Sequence, residues 1–162
     1  MDMHDWPPDF TLAKTPSFPQ DFPNFKPNHC DHDDLSKFDP IYNCIAWAAS
    51  DTLNWWWPDD PDFGDGYWPD GIPRELTIPA FIAAFQTLGY QVCEDSAVEN
   101  GFEKIAIYAD MASEPTHAAR QLPNGKWTSK FGDFEDVRHV NPDCLEGPLY
   151  GKVAVFMKRG IM

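Results

Sequence analysis

Two stretches of the chain repeat apolar residues at the spacing of an amphipathic helix. The first stripe, which follows the 3.6-residue period, consists of Ile41, Ile45, Ala48, Ala49 and Leu53. Two start signals compete for this helix, since Asp39 before Pro40 and Asn43 before Cys44 are both good N-terminal caps. If Asn43 is the cap, Cys44 lies in the first helical turn.

The second helical stripe lies between a capping threonine and a terminating glycine. Thr77 precedes the pattern and Gly89 follows it, as expected for the two ends of a helix. The apolar positions between them are Ile78, Phe81, Ile82, Phe85 and Leu88. Runs rich in β-forming residues then predict strands over 90–93, 102–109 and 151–159.

A β-hairpin is predicted where Asn124-Gly125 separates two strand-like runs, because this dipeptide is a strong turn signal. A two-residue turn puts Thr128 on the same face of the sheet as His117, and Ser129 then points the other way unless a bulge intervenes. The order of elements predicts an α+β fold, in which the helix that carries Cys44 packs on an antiparallel sheet.

Proline content divides the chain into an arm and a domain. Residues 1–38 are acidic and interleave prolines with aromatic residues, which predicts an extended arm that packs on the domain. Residues 39–162 are expected to form a single domain with one core. Within the arm, the cluster Asn28-His29-Cys30-Asp31-His32-Asp33-Asp34 matches no zinc-ligand spacing. We therefore expect neither a metal nor a cofactor.

A loop over residues 54–71 is rich in both proline and tryptophan. Its tryptophans are Trp55, Trp56, Trp57 and Trp68. Rings in such numbers must pack against the domain or a ligand, because a large exposed apolar surface favours aggregation. An aromatic wall of a substrate groove and a simple packing loop are both consistent with this composition.

The charge of the chain limits its partners. A formal net charge of −14 repels nucleic acid and anionic membranes, so neither is an expected partner. The 4 cysteines are scattered without a C-x-x-C pair, which is typical of reduced thiols. With no recognisable secretory signal, we expect a cytoplasmic protein, although export of an effector by a signal-independent route gives the same pattern.

Cys44 and His117 together have the chemistry of a nucleophile and its base. A thiol in the first turn of a helix ionises readily, and an imidazole can accept its proton. The backbone N–H of Cys44 and the Asn43 side chain are candidate oxyanion donors. Thr128 is the in-phase candidate to orient His117, and the less well placed alternatives are Ser129, Asp133 and Asp136. The alternatives are a buried apolar cysteine and a structural histidine.

These motifs resemble those of bacterial papain-like cysteine hydrolases, namely the NlpC/P60 and CHAP amidase groups. The resemblance spans residues 39–132 and rests on Tyr42-Asn43-Cys44-x-x-Trp47-Ala48, Thr116-His117 and Gly125-x-Trp127-x-Ser129-Lys130-x-Gly132. It implies a papain-like α+β fold in which Cys44 is the nucleophile and His117 the base. The aromatic arm and the tryptophan loop are not general features of those groups.

Three hypotheses follow for the function. The first is a cysteine peptidase, amidase or acyltransferase that acts through an acyl-enzyme on an amide, peptide or ester bond, including one within a protein. The second is a catalytically inactive papain-like module that holds a protein or glycan with its tryptophan loop. The third is an acidic protein that binds a basic partner. The candidate oxyanion and binding residues are Asn43, Trp47, Trp56, Trp57 and Trp127.

Overall fold

In the computed structural model of the protein, the described residues are 30–32, 42–58, 66–130, 136–139, 141–148 and 150–161. Most of the predicted arm, including His29 of the metal-like cluster, lies outside them. Three residues of the arm, Cys30–His32, form a strand that joins the sheet.

Among the described residues, seven strands form one antiparallel sheet in the order β1-β6-β5-β4-β3-β7-β2. The strands are β1 (Cys30–His32), β2 (Gln91–Cys93), β3 (Phe102–Ala109), β4 (Pro115–Gln121), β5 (Trp127–Lys130), β6 (Asp136–His139) and β7 (Lys152–Gly160). The prediction of an α+β fold with an antiparallel sheet is confirmed. The predicted strands over 90–93, 102–109 and 151–159 correspond to β2, β3 and β7, whereas the sequence did not predict β1 and β6.

Helix α1 (Cys44–Ala48) begins at the second of the two start signals. The Asn43 side chain accepts a hydrogen bond from the Ala46 N–H at 3.0 Å. The helix ends sooner than its apolar stripe predicts, because Ser50 has a φ of 63° and turns the chain away. Leu53, predicted to continue the buried stripe, is therefore exposed.

Helix α2 (Ile78–Gln86) forms where the sequence predicts it. The Thr77 hydroxyl caps it by accepting a hydrogen bond from the Ala80 N–H at 3.2 Å, and Gly89 follows it with a φ of 92°. Phe81 and Phe85 are its largest buried side chains. A 3₁₀ helix (Pro142–Leu145) precedes β7. None of the helices in the described part of the chain is long and apolar enough to cross a membrane.

The turn between β4 and β5 differs from the predicted two-residue turn by one residue. The observed register pairs Gln121 with Trp127, whereas the predicted turn pairs Gln121 with Thr128. The Leu122 carbonyl accepts from the Gly125 N–H at 2.9 Å, and the Leu122 N–H donates to the Lys126 carbonyl at 2.7 Å. Gly125, with a φ of 88°, thus supplies the extra left-handed residue of a three-residue hairpin loop.

The sheet separates two layers of side chains. Ile107 of β3 and Ala118 of β4 are paired, and both belong to the hydrophobic cluster that includes Phe81 of α2 and most of α1. The neighbouring pair, Tyr108 and His117, faces the other way, because successive residues of a strand alternate between the two faces. We call these the helix face and the far face.

Candidate functional site

Asn43 joins the start of α1 to the tryptophan loop. Its amide nitrogen donates to the Trp56 carbonyl at 2.8 Å, and its oxygen accepts from the N–H groups of Ala46 at 3.0 Å and Trp56 at 3.2 Å. The side chain is buried. The predicted role as an oxyanion donor does not agree with this arrangement, because the amide is engaged in holding the helix and loop together.

Cys44 is the first residue of α1, as the start signal at Asn43 predicts. Its exposed fraction is 8%, and it belongs to the hydrophobic cluster that contains Ile45, Trp56 and Phe81. The thiol therefore lies at the edge of an apolar core on the helix face of the sheet. This agrees with the alternative interpretation of Cys44 as a buried apolar cysteine.

His117 lies near the start of β4 within a group of aromatic rings. Its exposed fraction is 0%. The imidazole stacks on Tyr150 with ring centres 4.0 Å apart and planes 8° apart, and it makes an edge-to-face contact with the Tyr108 ring, with ring centres 5.2 Å apart. The Thr116 hydroxyl donates to the Tyr150 carbonyl at 2.5 Å, which fixes the stacked ring beside the strand.

The sheet lies between the two residues of the predicted catalytic pair. Helix α1 packs against β4 and β5, and Ala118, the residue after His117, is the one that joins its hydrophobic cluster. His117 pairs with Tyr108 and faces the opposite side. The structure therefore brings the helix of Cys44 onto strand β4, but it does not bring the thiol and the imidazole onto one face.

The observed hairpin register places Thr128 and Ser129 on the faces of the sheet opposite to those predicted. Thr128 pairs with Arg120, so it lies on the helix face, and the prediction that it shares a face with His117 is wrong. Ser129 is the next residue of β5 and lies on the far face with His117. Both side chains are buried. A slip of one residue reverses the orientation of every side chain in a strand, which explains the error.

The predicted binding tryptophans fall into two groups. Trp56 and Trp127 are buried, at 3% and 1% exposure, and Trp127 lies on the far face, 6.4 Å from the ring of Phe156. Trp47 and Trp57 are partly buried against the hydrophobic cluster. Trp57 contacts the Phe81 ring edge-on at 5.9 Å. Of the predicted set, only Trp47 and Trp57 retain surface that a ligand can reach.

Two backbone hydrogen bonds close the described ends of the tryptophan loop. The Trp57 N–H donates to the Tyr67 carbonyl at 3.0 Å, and the Tyr67 N–H donates to the Trp55 carbonyl at 2.7 Å. The Tyr67 ring lies 5.0 Å from the Trp56 ring and is 43% exposed. The loop therefore holds an exposed aromatic ring against a buried one.

Asp51 supports the same loop from the end of α1. Its carboxylate accepts from Trp56 Nε1 at 2.8 Å and from the Asn54 side chain at 3.0 Å, and it also accepts from the Leu53 N–H. Burial raises the pKa of Asp51, but these hydrogen bonds outweigh that effect and lower the pKa overall. The ionised carboxylate thus anchors the buried indole.

Arg120 was not among the predicted site residues. Its guanidinium lies over the Trp47 ring, 4.9 Å from the ring centre, and the Tyr42 ring also stacks on this indole, with ring centres 6.1 Å apart. This is the geometry of a cation–π contact. The signal that could have found it is the alternation of side chains along β4, which puts Arg120 on the same face as Ala118, the face that contacts α1.

A charged cluster lies at the other end of the far face. Lys104 is fully buried and contacts Asp95 and Glu99, each at 3.0 Å. Burial alone lowers the pKa of Lys104, but its hydrogen bonds to the two carboxylates raise it overall. Hydrogen bonds from Lys158 and Lys104 lower the pKa of Glu99. These charges satisfy one another, so the cluster is best explained as a structural one.

Among the described residues, no group of three or more His, Cys, Asp or Glu side chains is arranged to hold a metal ion.

In comparisons with known proteins, no curated protein and no solved structure matches the chain. One family model does match it, over residues 34–158, and its description is "Domain of unknown function (DUF7689)". Because this match covers most of the chain, the protein belongs to the DUF7689 family.

Proposed function

We propose that the protein is a non-enzymatic binding module, in which the tryptophan loop presents aromatic rings to a partner protein. A papain-like origin for the fold is part of this proposal. It is supported by a helix that begins at a cysteine and packs on an antiparallel sheet. The opposite orientations of Cys44 and His117 favour a binding module over a thiol hydrolase, since nucleophile and base must come within hydrogen-bond reach.

The observation that carries the proposal is the fixed position of Tyr67. Its ring is substantially exposed, while both its backbone N–H and its carbonyl are bound to the other end of the loop. The partly exposed Trp55 and Trp57 flank the residue that supports it, Trp56. Aromatic rings held in place lose little conformational entropy on binding, which is why such residues dominate binding surfaces.

The charge of the chain indicates the kind of partner. A net charge of −14 attracts basic surfaces and speeds their association at low ionic strength. A peptide segment of a basic protein therefore fits both the aromatic rings and the overall charge. The module binds this segment through ring contacts, and long-range attraction guides the encounter.

Selection from a displayed random peptide library on the full-length protein tests this function. Enriched peptides are expected to be basic and to lose about tenfold in affinity when Tyr67→Ala removes the ring, as is usual for an aromatic residue at the centre of an interface. Tyr67→Phe keeps the ring and is expected to bind within about twofold of the original protein. Isothermal titration calorimetry gives the affinities.

Two results contradict the proposal. One is that the wild-type protein and Tyr67→Ala bind the selected peptides with equal affinity, while their thermal unfolding is the same. The other is a failure of any peptide to be enriched while an array of glycans is bound, which assigns the aromatic surface to carbohydrate. Leu53→Ala is the matched control, because it removes an exposed apolar side chain outside the bridge between Trp56 and Tyr67.

A further inference from the structure

We infer a second binding surface, a groove at the end of β3 and the start of β7, for an extended peptide segment with apolar and basic side chains. The groove has a volume of about 760 Å³ and is lined by residues 109–112, 146–148 and 151–152. Its lining contains none of the residues of the aromatic surface around Tyr67. The inference therefore goes beyond the proposed function and does not depend on it.

One wall of the groove is a tightly closed loop. Gly147 and Gly151 exchange backbone hydrogen bonds of 3.0 and 2.8 Å, and Gly151 approaches the chain so closely that a Cβ atom there would lie 1.9 Å from the Ala109 carbonyl oxygen. Between them, Tyr150 stacks on His117. The fully buried imidazole thus supports this wall from behind.

The other wall is the turn between β3 and β4. The Asp110 carboxylate accepts from the N–H groups of Ala112 and Glu114 at 2.9 and 3.0 Å, and the Asp110 N–H donates to the Glu114 carbonyl at 3.0 Å. Ser113 adopts a φ of 64° within this turn. Hydrogen bonds to backbone groups therefore fix both walls, and a preformed groove binds at a low conformational cost.

The chemistry of the lining selects the occupant. Alanine, glycine, proline and the fully exposed side chain of Met111 provide most of the surface, and methionine adapts readily to apolar partners. The charged groups are Asp110, Glu146 and Lys152, so acids outnumber bases in a chain that is already strongly acidic. A segment that places an apolar side chain in the groove beside lysine or arginine matches both properties.

Fluorescence anisotropy of labelled hexapeptides with the full-length protein tests the inference. The probe is a capped peptide of alternating lysine and leucine. We expect it to bind at least about tenfold more tightly than matched peptides in which glutamate replaces lysine or serine replaces leucine. Amide chemical shift changes in NMR spectra are expected at Ala112, Gly147 and Gly151.

A pair of substitutions with equal charge locates the binding site. Ala112→Arg places a bulky cation in the groove and is expected to lower the affinity for the lysine–leucine peptide by about tenfold or more. Ala97→Arg makes the same change at another exposed alanine outside the groove, and we expect it to change the affinity by less than about twofold.

Three outcomes overturn the inference. Equal losses for Ala112→Arg and Ala97→Arg indicate non-specific attraction to an acidic protein. Binding of all three peptides with similar affinity removes the basis for an apolar and basic occupant. Shift changes confined to residues 55–57 and 67 assign the peptide to the aromatic surface, which leaves the proposed function standing while the groove is rejected.

Discussion

Asn43→Ala is expected to lower the free energy of unfolding by about 3 kcal/mol. The substitution removes the cap of α1 and also leaves the N–H and carbonyl of Trp56 without their hydrogen bonds to the Asn43 side chain. A lost cap costs about 1 kcal/mol, and each buried polar group left unsatisfied costs about 1–3 kcal/mol. Urea denaturation followed by tryptophan fluorescence measures the change.

Thr77→Ala provides the comparison for Asn43→Ala. The Thr77 side chain caps α2 by accepting one hydrogen bond, from the Ala80 N–H, whereas the Asn43 side chain also bonds to the backbone of Trp56. We expect a loss of about 1 kcal/mol for this variant. Equal losses for the two variants contradict the account of Asn43 as the residue that joins helix and loop.

Gly151→Ala is expected to destabilise the protein by about 3 kcal/mol. Gly151 has a φ of 77°, which costs a residue with a side chain about 1 kcal/mol. The added Cβ would also lie 1.9 Å from the Ala109 carbonyl oxygen, and because both groups belong to the backbone, the loop must move away from β3. Thermal and urea unfolding report the loss.

Gly89→Ala isolates the conformational part of this effect. Gly89 has a φ of 92°, yet a Cβ atom there meets nothing within 4 Å. We expect a loss of about 1 kcal/mol. If Gly151→Ala costs no more than Gly89→Ala, then the close approach of Gly151 to Ala109 does not determine the shape of the groove.

Local signals were sufficient to predict several elements of the fold. Thr77 and Gly89 mark the two ends of α2 through their backbone preferences, and the β-forming run over 102–109 coincides with β3. The start of α1 at Cys44 also follows from a local signal, the capping side chain of Asn43. Each of these features depends on residues within a few positions of one another.

The site could not be predicted to the same extent because it depends on register and on long-range packing. The left-handed Gly125 adds one residue to the hairpin loop, and this reverses the faces of Thr128 and Ser129. The orientation of His117 depends on its pairing with Tyr108. Nothing in the local sequence around Thr116 and His117 specifies which side of the sheet the helices will cover.

The tryptophan loop is a second region where the sequence alone could not predict which side chains are buried. Its composition indicates that the rings pack against the domain or a ligand, and in the structure Trp56 and Trp68 are buried in the core. The burial of Trp56 depends on a hydrogen bond to Asp51 and on ring contact with Phe85. These partners come from separate elements, so the division between buried and exposed rings could not be read from the loop alone.

The central claim is that the sheet keeps the Cys44 thiol apart from the His117 imidazole, and iodoacetamide labelling tests it most directly. Mass spectrometry of the native protein at neutral pH gives a rate for each cysteine. We expect Cys44 to react about 100-fold more slowly than in the guanidinium-unfolded chain, because its labelling requires opening of the core. Labelling of Cys44 that is faster than in the unfolded chain, and that is lost in His117→Gln, would contradict the claim.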